Sequence, residues 1–273
     1  MINRKILYIA LIISSVIFIA GCETEKISDN ATRLRIKLTD ATSLVLREFH
    51  IDIREISLFV TDSVNTDGEW VQLDYTPDEY DILKLMNGRT VQLVDQYFPV
   101  YKNIEKIRVV LGDNNRIITN TQKPIPLQKS QEIIDGVIID DIEVELVQNV
   151  ITSIIIDINA ALSVRESNGN YFFNPAARAF PETFGGSIRG YVAPLDANPF
   201  IAIVQEKDTL MTFPESDGMF MFLGLNEGPW EIHLIADPET IYRDTVFTDT
   251  VKMGERLELT PKPIRLSFST PEE

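Results

Sequence analysis

A chain of 273 residues holds one large domain or two ordinary ones, and its apolar content of 44% is ample for a buried core. A formal charge of −16 at pH 7 excludes basic-patch recognition, because such a surface repels nucleic acid and anionic lipid. The single cysteine excludes a disulfide, a thiolate zinc cluster or a thiol nucleophile within the fold, and no cofactor motif is present.

Residues 1–21 read as a targeting segment, to be set aside before the fold is considered. Arg4 and Lys5 give a positive start, and Ile6 to Ala20 form an apolar run of 15 residues, shorter than the roughly 20 that span a bilayer. Ile19-Ala20-Gly21-Cys22 follows and resembles a bacterial lipobox. That resemblance implies cleavage before Cys22, a thioether from its sulfur to diacylglycerol, and acylation of the new amino terminus. Without Arg4 and Lys5 the chain carries 23 basic and 41 acidic side chains, a charge of −18. Residues 22–32 form the lipidated residue and a polar, aperiodic tether. Glu23 and Glu25, close behind the cysteine, resemble the acidic export signal of surface lipoproteins in Bacteroidetes-type bacteria. Together these features predict a lipid-anchored protein of the outer membrane or cell surface, with the periplasmic face as the alternative.

Beyond the tether the pattern is strand after strand. Leu34, Ile36 and Leu38 alternate with Arg35, Lys37 and Thr39. Phe49, Ile51 and Ile53 share one parity and Ile56, Leu58 and Val60 the other, which requires an inserted residue near Arg54-Glu55. Asp67-Gly68 turns the chain into a return strand at Trp70–Leu73. Ile82, Leu83 and Met86 have helical spacing, so 78–87 holds at most one short helix. Further strands are expected at 104–111, 142–147, 151–158 and 171–173. The pattern pauses at 181–184, and Gly185-Gly186 opens a second series at 187–192, 200–205, 209–213, 219–223, 230–235, 242–251 and 257–259. Many short strands with turns at near-regular spacing predict an all-β chain of two tandem antiparallel β-sandwiches, at 33–180 and 184–267.

Two resemblances sharpen this division. Leu38-Thr39-Asp40-Ala41, Asp81-Ile82-Leu83-Lys84-Leu85-Met86-Asn87-Gly88, Ile107-Arg108-Val109, Asp157-Ile158-Asn159-Ala160 and Tyr171-Phe172-Phe173-Asn174-Pro175 resemble, in order, a bacterial lipoprotein family known as domain of unknown function 4382. That family implies no established activity. Gly186-Ser187-Ile188-Arg189-Gly190-Tyr191-Val192, Asp217-Gly218-Met219-Phe220 and Gly224-Leu225-Asn226-Glu227-Gly228-Pro229-Trp230 resemble the carboxypeptidase regulatory-like, transthyretin-like domains. This second resemblance implies a sandwich but no particular function. Some of its members bind starch through aromatics, which makes Tyr191, Trp230 and Tyr242 the candidate ligand contacts, with Phe200 a further aromatic of that segment. Alternation places Trp230 with Ile232 and Leu234 on one strand face, which predicts burial.

Catalytic chemistry is not visible. His50 and His233 each sit on the polar face of an expected strand, without a partner apparent in the sequence. Asp62, Asn65 and Asp67 are the best candidates for a cation site, and their spacing suits a turn better than a calcium loop. Among Asp135, Asp140, Asp141, Glu143 and Glu145, alternation puts the last three on one solvated strand face. The expectation is therefore a non-enzymatic binding or scaffolding lipoprotein without a cofactor. Its partners would be the membrane, through lipid on Cys22, and a glycan or another envelope protein, with no nucleic acid. The alternatives are a carbohydrate-binding module of a polysaccharide-uptake system and an envelope enzyme.

Overall fold

The computed structural model describes residues 31–41, 46–100, 102–119, 121–140 and 142–268. Cys22, the expected tether as far as Asn30, and Asp141 lie outside the described residues, whereas Ala31 and Thr32, expected in the tether, already belong to the first strand.

In chain order the first unit contains β1 (Ala31–Ala41), β2 (Glu48–Thr61), β3 (Glu69–Gln72), β4 (Asp78–Asp81), β5 (Val91–Pro99), β6 (Asn103–Leu111), β7 (Arg116–Ile118), β8 (Pro124–Pro126), β9 (Gln128–Lys129), β10 (Val137–Ile139), β11 (Val144–Glu145) and β12 (Ile151–Asn159). A one-turn helix α1 (Ala160–Ser163) precedes β13 (Val164–Ser167), β14 (Asn170–Phe173) and β15 (Ala176–Pro181). One sheet has the order β15-β12-β1-β5. The larger one runs β10-β6-β2-β7-β8, with β3 and β4 also paired to β2 and β11 to β6. Their inner faces meet in one core, where Leu34, Ile36 and Leu38 of β1 lie with Ile56 and Leu58 of β2. The inserted residue expected in β2 is present, because its pairing with β6 shifts register between Ile53 and Glu55. The bulge lets Ile51 and Ile53 before it and Ile56 and Leu58 after it all point inward.

The second unit contains β16 (Gly186–Ala193), β17 (Phe200–Gln205), β18 (Asp208–Thr212), β19 (Met219–Leu225), β20 (Gly228–Ile235), β21 (Thr245–Val251), β22 (Arg256–Glu258) and β23 (Ile264–Arg265). The sheet β19-β16-β22, which β23 joins through β16, faces the sheet β18-β17-β20-β21. Ile188, Phe220 and Phe222 pack from one side; Ile201, Ile203, Trp230, Ile232 and Leu234 pack from the other. The two buried clusters span 34–179 and 188–266 and share no member.

The chain is thus all-β, in two sandwiches. Pairing is mostly antiparallel, but β1 runs parallel to β12, and β16 runs parallel to β22 and β23. The ambiguous 78–87 stretch resolves into β4 followed by a single 3-10 turn at Ile82–Leu85. The strand expected at 242–251 begins at Thr245, and the one expected at 142–147 is only Val144–Glu145. Among the described residues no helix is long and apolar enough to cross a membrane.

Trp230 is 2% exposed, and its indole Nε1 donates to the Asn226 carbonyl at 2.9 Å. Truncating a buried aromatic of this kind costs about 3–5 kcal/mol. Trp230→Ala should therefore unfold the second sandwich at much lower urea than wild type, followed by circular dichroism. An unchanged midpoint would show that the indole contributes no packing.

Candidate functional site

The motif segment 81–88 ends where the two sandwiches meet. Asn87 and Gly88 both adopt left-handed backbone conformations, at φ 58° and 77°, which asparagine and glycine tolerate best. This tight tip carries the Asn87 side chain into the second unit. Its Oδ1 accepts from Thr212 Oγ1 at 3.0 Å and from the Met221 N–H at 3.2 Å. Its Nδ2 donates to the Phe213 carbonyl and to Glu215 Oε1, both at 3.0 Å. Those bonds use both acceptor positions and both donor hydrogens of the amide. Arg89 adds an ion pair to Glu215 at 2.7 Å. Thr39 on β1 holds the segment from behind, its hydroxyl lying 2.9 and 2.8 Å from the carbonyls of Leu85 and Arg89.

A second tie runs through Arg178 on β15. Its Nε donates to Asp157 Oδ2 at 2.9 Å, while Nη1 and Nη2 reach the carbonyls of Gly224 and Leu223 at 2.9 and 3.0 Å. The guanidinium also lies over the Phe180 ring, 4.9 Å from its centre. Gly224 is required here: its φ is +62°, and a Cβ would stand 2.5 Å from that ring. Beside Asp157 sits Asp40, which is 7% exposed. One of its oxygens accepts from the Ala160 N–H at 3.2 Å, and the other, buried, has no hydrogen-bond partner. Burial first, and the Asp157 charge second, push the Asp40 carboxyl well above the usual carboxylate range; the Ala160 bond offsets this only in part.

Thr39, Asp40, Asn87, Asp157, Arg178 and Thr212 surround a small cavity of about 30 Å³ at this joint. A larger cleft of about 310 Å³ opens next to it, lined among others by Asn159, Arg178, Lys207, Asp208 and Trp230. The cleft offers hydrogen bonds and both signs of charge. Asp157 is tied to Arg178, so it does not stand as a free base. Three of the motifs read from the sequence thus converge on one seam. Only the parallel register, Thr39 opposite Asp157, reveals this.

The candidate ligand aromatics are not gathered at one place. Trp230 is in the core and reaches the 310 Å³ cleft, whereas Tyr191 lines a different open depression of about 540 Å³. Tyr191 carries the Lys262 ammonium over its ring at 6.0 Å. Tyr242 is partly buried and stacks on Phe268 at 5.1 Å. In the 62–68 loop, Asp62 Oδ1 accepts from the N–H groups of Val64 and Asn65 at 2.8 and 2.6 Å. These bonds hold its carboxyl below the usual range and build the turn that precedes Asp67-Gly68. Glu143 and Glu145 are exposed while Ile142, Val144 and Leu146 are buried, the alternation expected of that strand.

Both histidines require a correction, because each has a carboxylate two residues before it: His233 Nε2 lies 2.5 Å from Glu231 Oε1, and His50 belongs to a larger group. β2 projects Glu48 and His50 from one face, and β4 lays Asp81 directly opposite His50. His50 Nε2 is 2.6 Å from Glu48 Oε2. Asp81 accepts from the Phe49 N–H at 3.2 Å and pairs with Lys84 at 3.1 Å. One donor atom from each of Glu48, His50 and Asp81 lies within 4.8 Å of the others, the one His/carboxylate group of this kind among the described residues. Glu48 and Asp81 line a cleft of about 580 Å³ that Phe213 of the second unit helps to close. Periodicity could place Glu48 with His50 but not Asp81, since that contact depends on the β2–β4 pairing.

Fold and joint define an all-β, tandem-sandwich protein. The chain belongs to the family described as domain of unknown function DUF4382, whose model matches residues 31–175. No curated protein matches it. Among solved structures it is similar to the TIE protein of Bacillus anthracis, at 11% identity and a TM-score of 0.25, with 87% of this chain and 34% of that one covered. The chain therefore spans about a third of that protein. It is also similar to shaft pilin SpaA of Lactobacillus rhamnosus GG, at 8% identity and a TM-score of 0.26, covering 89% of this chain and 100% of that one. A third is the minor pilin GBS52 of Streptococcus agalactiae, at 12% identity and a TM-score of 0.25, covering 89% and 98%. Likeness at this level carries no functional argument.

The Asp40 environment has a signed consequence for stability. A carboxyl whose folded-state pKa is raised stabilises the fold below its unfolded value, near pH 4, and loses that contribution as pH rises through the folded value. Asp40→Asn mimics the neutral acid. Its melting temperature should match wild type at about pH 3, below the unfolded value, and exceed it increasingly as pH rises above about 4. Parallel curves for the two proteins would show that Asp40 does not remain protonated in the fold.

Proposed function

We propose that the protein is an envelope lipoprotein, anchored through lipid on Cys22, that serves a non-enzymatic scaffolding or binding role at the outer membrane or cell surface of a Bacteroidetes-type bacterium. The observation that carries this reading is the use made of the motif residues. Asn87 gives all four of its hydrogen bonds to the second unit, and Arg178 bridges Asp157 to two carbonyls of that unit. Side chains fully engaged in a joint are not available to bind or transform a substrate. They instead fix the relative placement of two sandwiches, as a rigid presenting module requires. The lipobox-like segment supplies the anchor, and the strongly acidic surface keeps the body away from anionic lipid. The body's partner is then a glycan or an envelope protein. The carbohydrate-module alternative is weakened by Trp230, whose ring is packed in the core rather than laid out as a stacking platform.

Two outcomes test this. In growing cells, Cys22→Ala should abolish incorporation of labelled fatty acid and leave the unprocessed precursor. Normal labelling of that variant would remove the anchor from the proposal. In calorimetry, the wild-type body should melt in one transition. The double variant Asn87→Ala, Arg178→Ala strands buried partners at about 1–3 kcal/mol each, and its two sandwiches should melt separately. A single, unshifted transition would mean that the joint is not what holds the units together.

A further inference from the structure

We propose that Glu48, His50 and Asp81 bind a single divalent transition-metal ion of the zinc class, open to the cleft beside them. The donor set is one imidazole and two carboxylates, a combination that suits zinc and its neighbours. Calcium prefers six to eight oxygens and would find too few here. The backbone fixes the arrangement, since Glu48 and His50 project together from β2 and Asp81 faces His50 across the β2–β4 pairing. Donor atoms on one ion at about 2.0–2.2 Å stand at most about 4.4 Å apart. The three donors already lie within 4.8 Å of one another, so small rotations of the partly exposed Glu48 and His50 close the site.

A cation already pairs with one of the three donors. Lys84 Nζ sits 3.1 Å from Asp81 Oδ2, on a side chain that is 77% exposed and free to swing away. Asp81 is the reverse: its side chain is 7% exposed, and one oxygen is fixed by the Phe49 N–H. The site thus combines an anchored buried carboxylate with a displaceable ammonium. Arg47 also lines the cleft, and the Arg116 charge reaches Glu48, so the metal competes with three basic groups in all. Two carboxylates against a divalent ion leave the loaded centre neutral. Glu48 and Asp81 line the cleft of about 580 Å³, which keeps the remaining coordination positions reachable by water or a partner's donor.

The test is zinc titration, by calorimetry, of the chain from Cys22 onward produced without lipid, its Cys22 thiol alkylated. Wild type should take up one equivalent. His50→Gln and Glu48→Gln should each weaken binding more than about tenfold, the least that loss of a direct ligand should cost. Their zinc-free melting temperatures should stay near wild type, because both side chains are partly exposed. Lys84→Met removes the competing ammonium and should bind at least as tightly, and His233→Gln should bind like wild type. No uptake by wild type, uptake that survives His50→Gln, weakened binding in Lys84→Met, or equal affinity for calcium would each overturn the assignment.

Discussion

A buried primary amide must find four hydrogen-bond partners or lose the free energy of those it leaves unmade. Asn87 finds all four on the other sandwich. The rest of the joint follows from this requirement. The tip must turn left-handed to deliver the amide, and Asn-Gly is the pair that does so at least cost. The segment behind the tip must not drift, and Thr39 clamps it to β1 while Ile82 and Leu83 bury their side chains in the first core. The second unit contributes the backbone N–H of β19 and the threonine closing β18. Two separate hydrophobic clusters are thereby joined by polar groups, which specify geometry more sharply than apolar contact would.

Charge is handled differently on the Arg178 side. An isolated buried carboxylate is costly, so Asp157 is paired with Arg178, and two further guanidinium hydrogens go to the carbonyls of Leu223 and Gly224. Asp40 has no ion-pair partner among the described residues, and burial, with the Asp157 charge second, pushes its carboxyl well above the usual carboxylate range. The seam therefore carries one ion pair beside a carboxyl whose charged form burial disfavours. In a chain of net charge −16 this economy of local charge matters, because the general field already disfavours further anions.

Much of the fold could be read from parity alone. The change of parity between Ile53 and Ile56 required a bulge, and the register shift lies there. The 187–192 and 230–235 strands were legible because each alternates cleanly around a single buried face, and 200–205 because its apolar run, buried at three successive residues, is bounded by turns. β5 was not, since Val91–Pro99 mixes polar and apolar side chains on both faces, and its pairing with β1 is itself irregular after Ile36. β7 to β10 were missed because two- and three-residue strands carry no period. The joint was the least legible part. The motifs around Asp40, Asn87 and Asp157 could be recognised, but their meeting depends on a parallel pairing between strands more than a hundred residues apart. The Glu48–His50 pair follows from the spacing within β2, but the third member of that cluster, Asp81, lies on another strand.

The segment 81–89 links the two places of greatest chemical interest. Asp81 belongs to the Glu48–His50 cluster at one end, and Asn87 to the joint at the other. Between them runs one 3-10 turn, Ile82–Leu85, whose two buried side chains fix it to the core. Displacing Lys84 takes a largely exposed ammonium away from the buried Asp81 carboxylate, and the incoming ion replaces that charge. The clamp by Thr39 and the burial of Ile82 and Leu83 remain when Lys84 leaves. A cation can therefore replace the ammonium at Asp81 while Asn87 stays in place, which makes the cluster and the joint neighbours in sequence but independent in mechanics. The cleft can then change its charge without loosening the fixed relation of the two sandwiches.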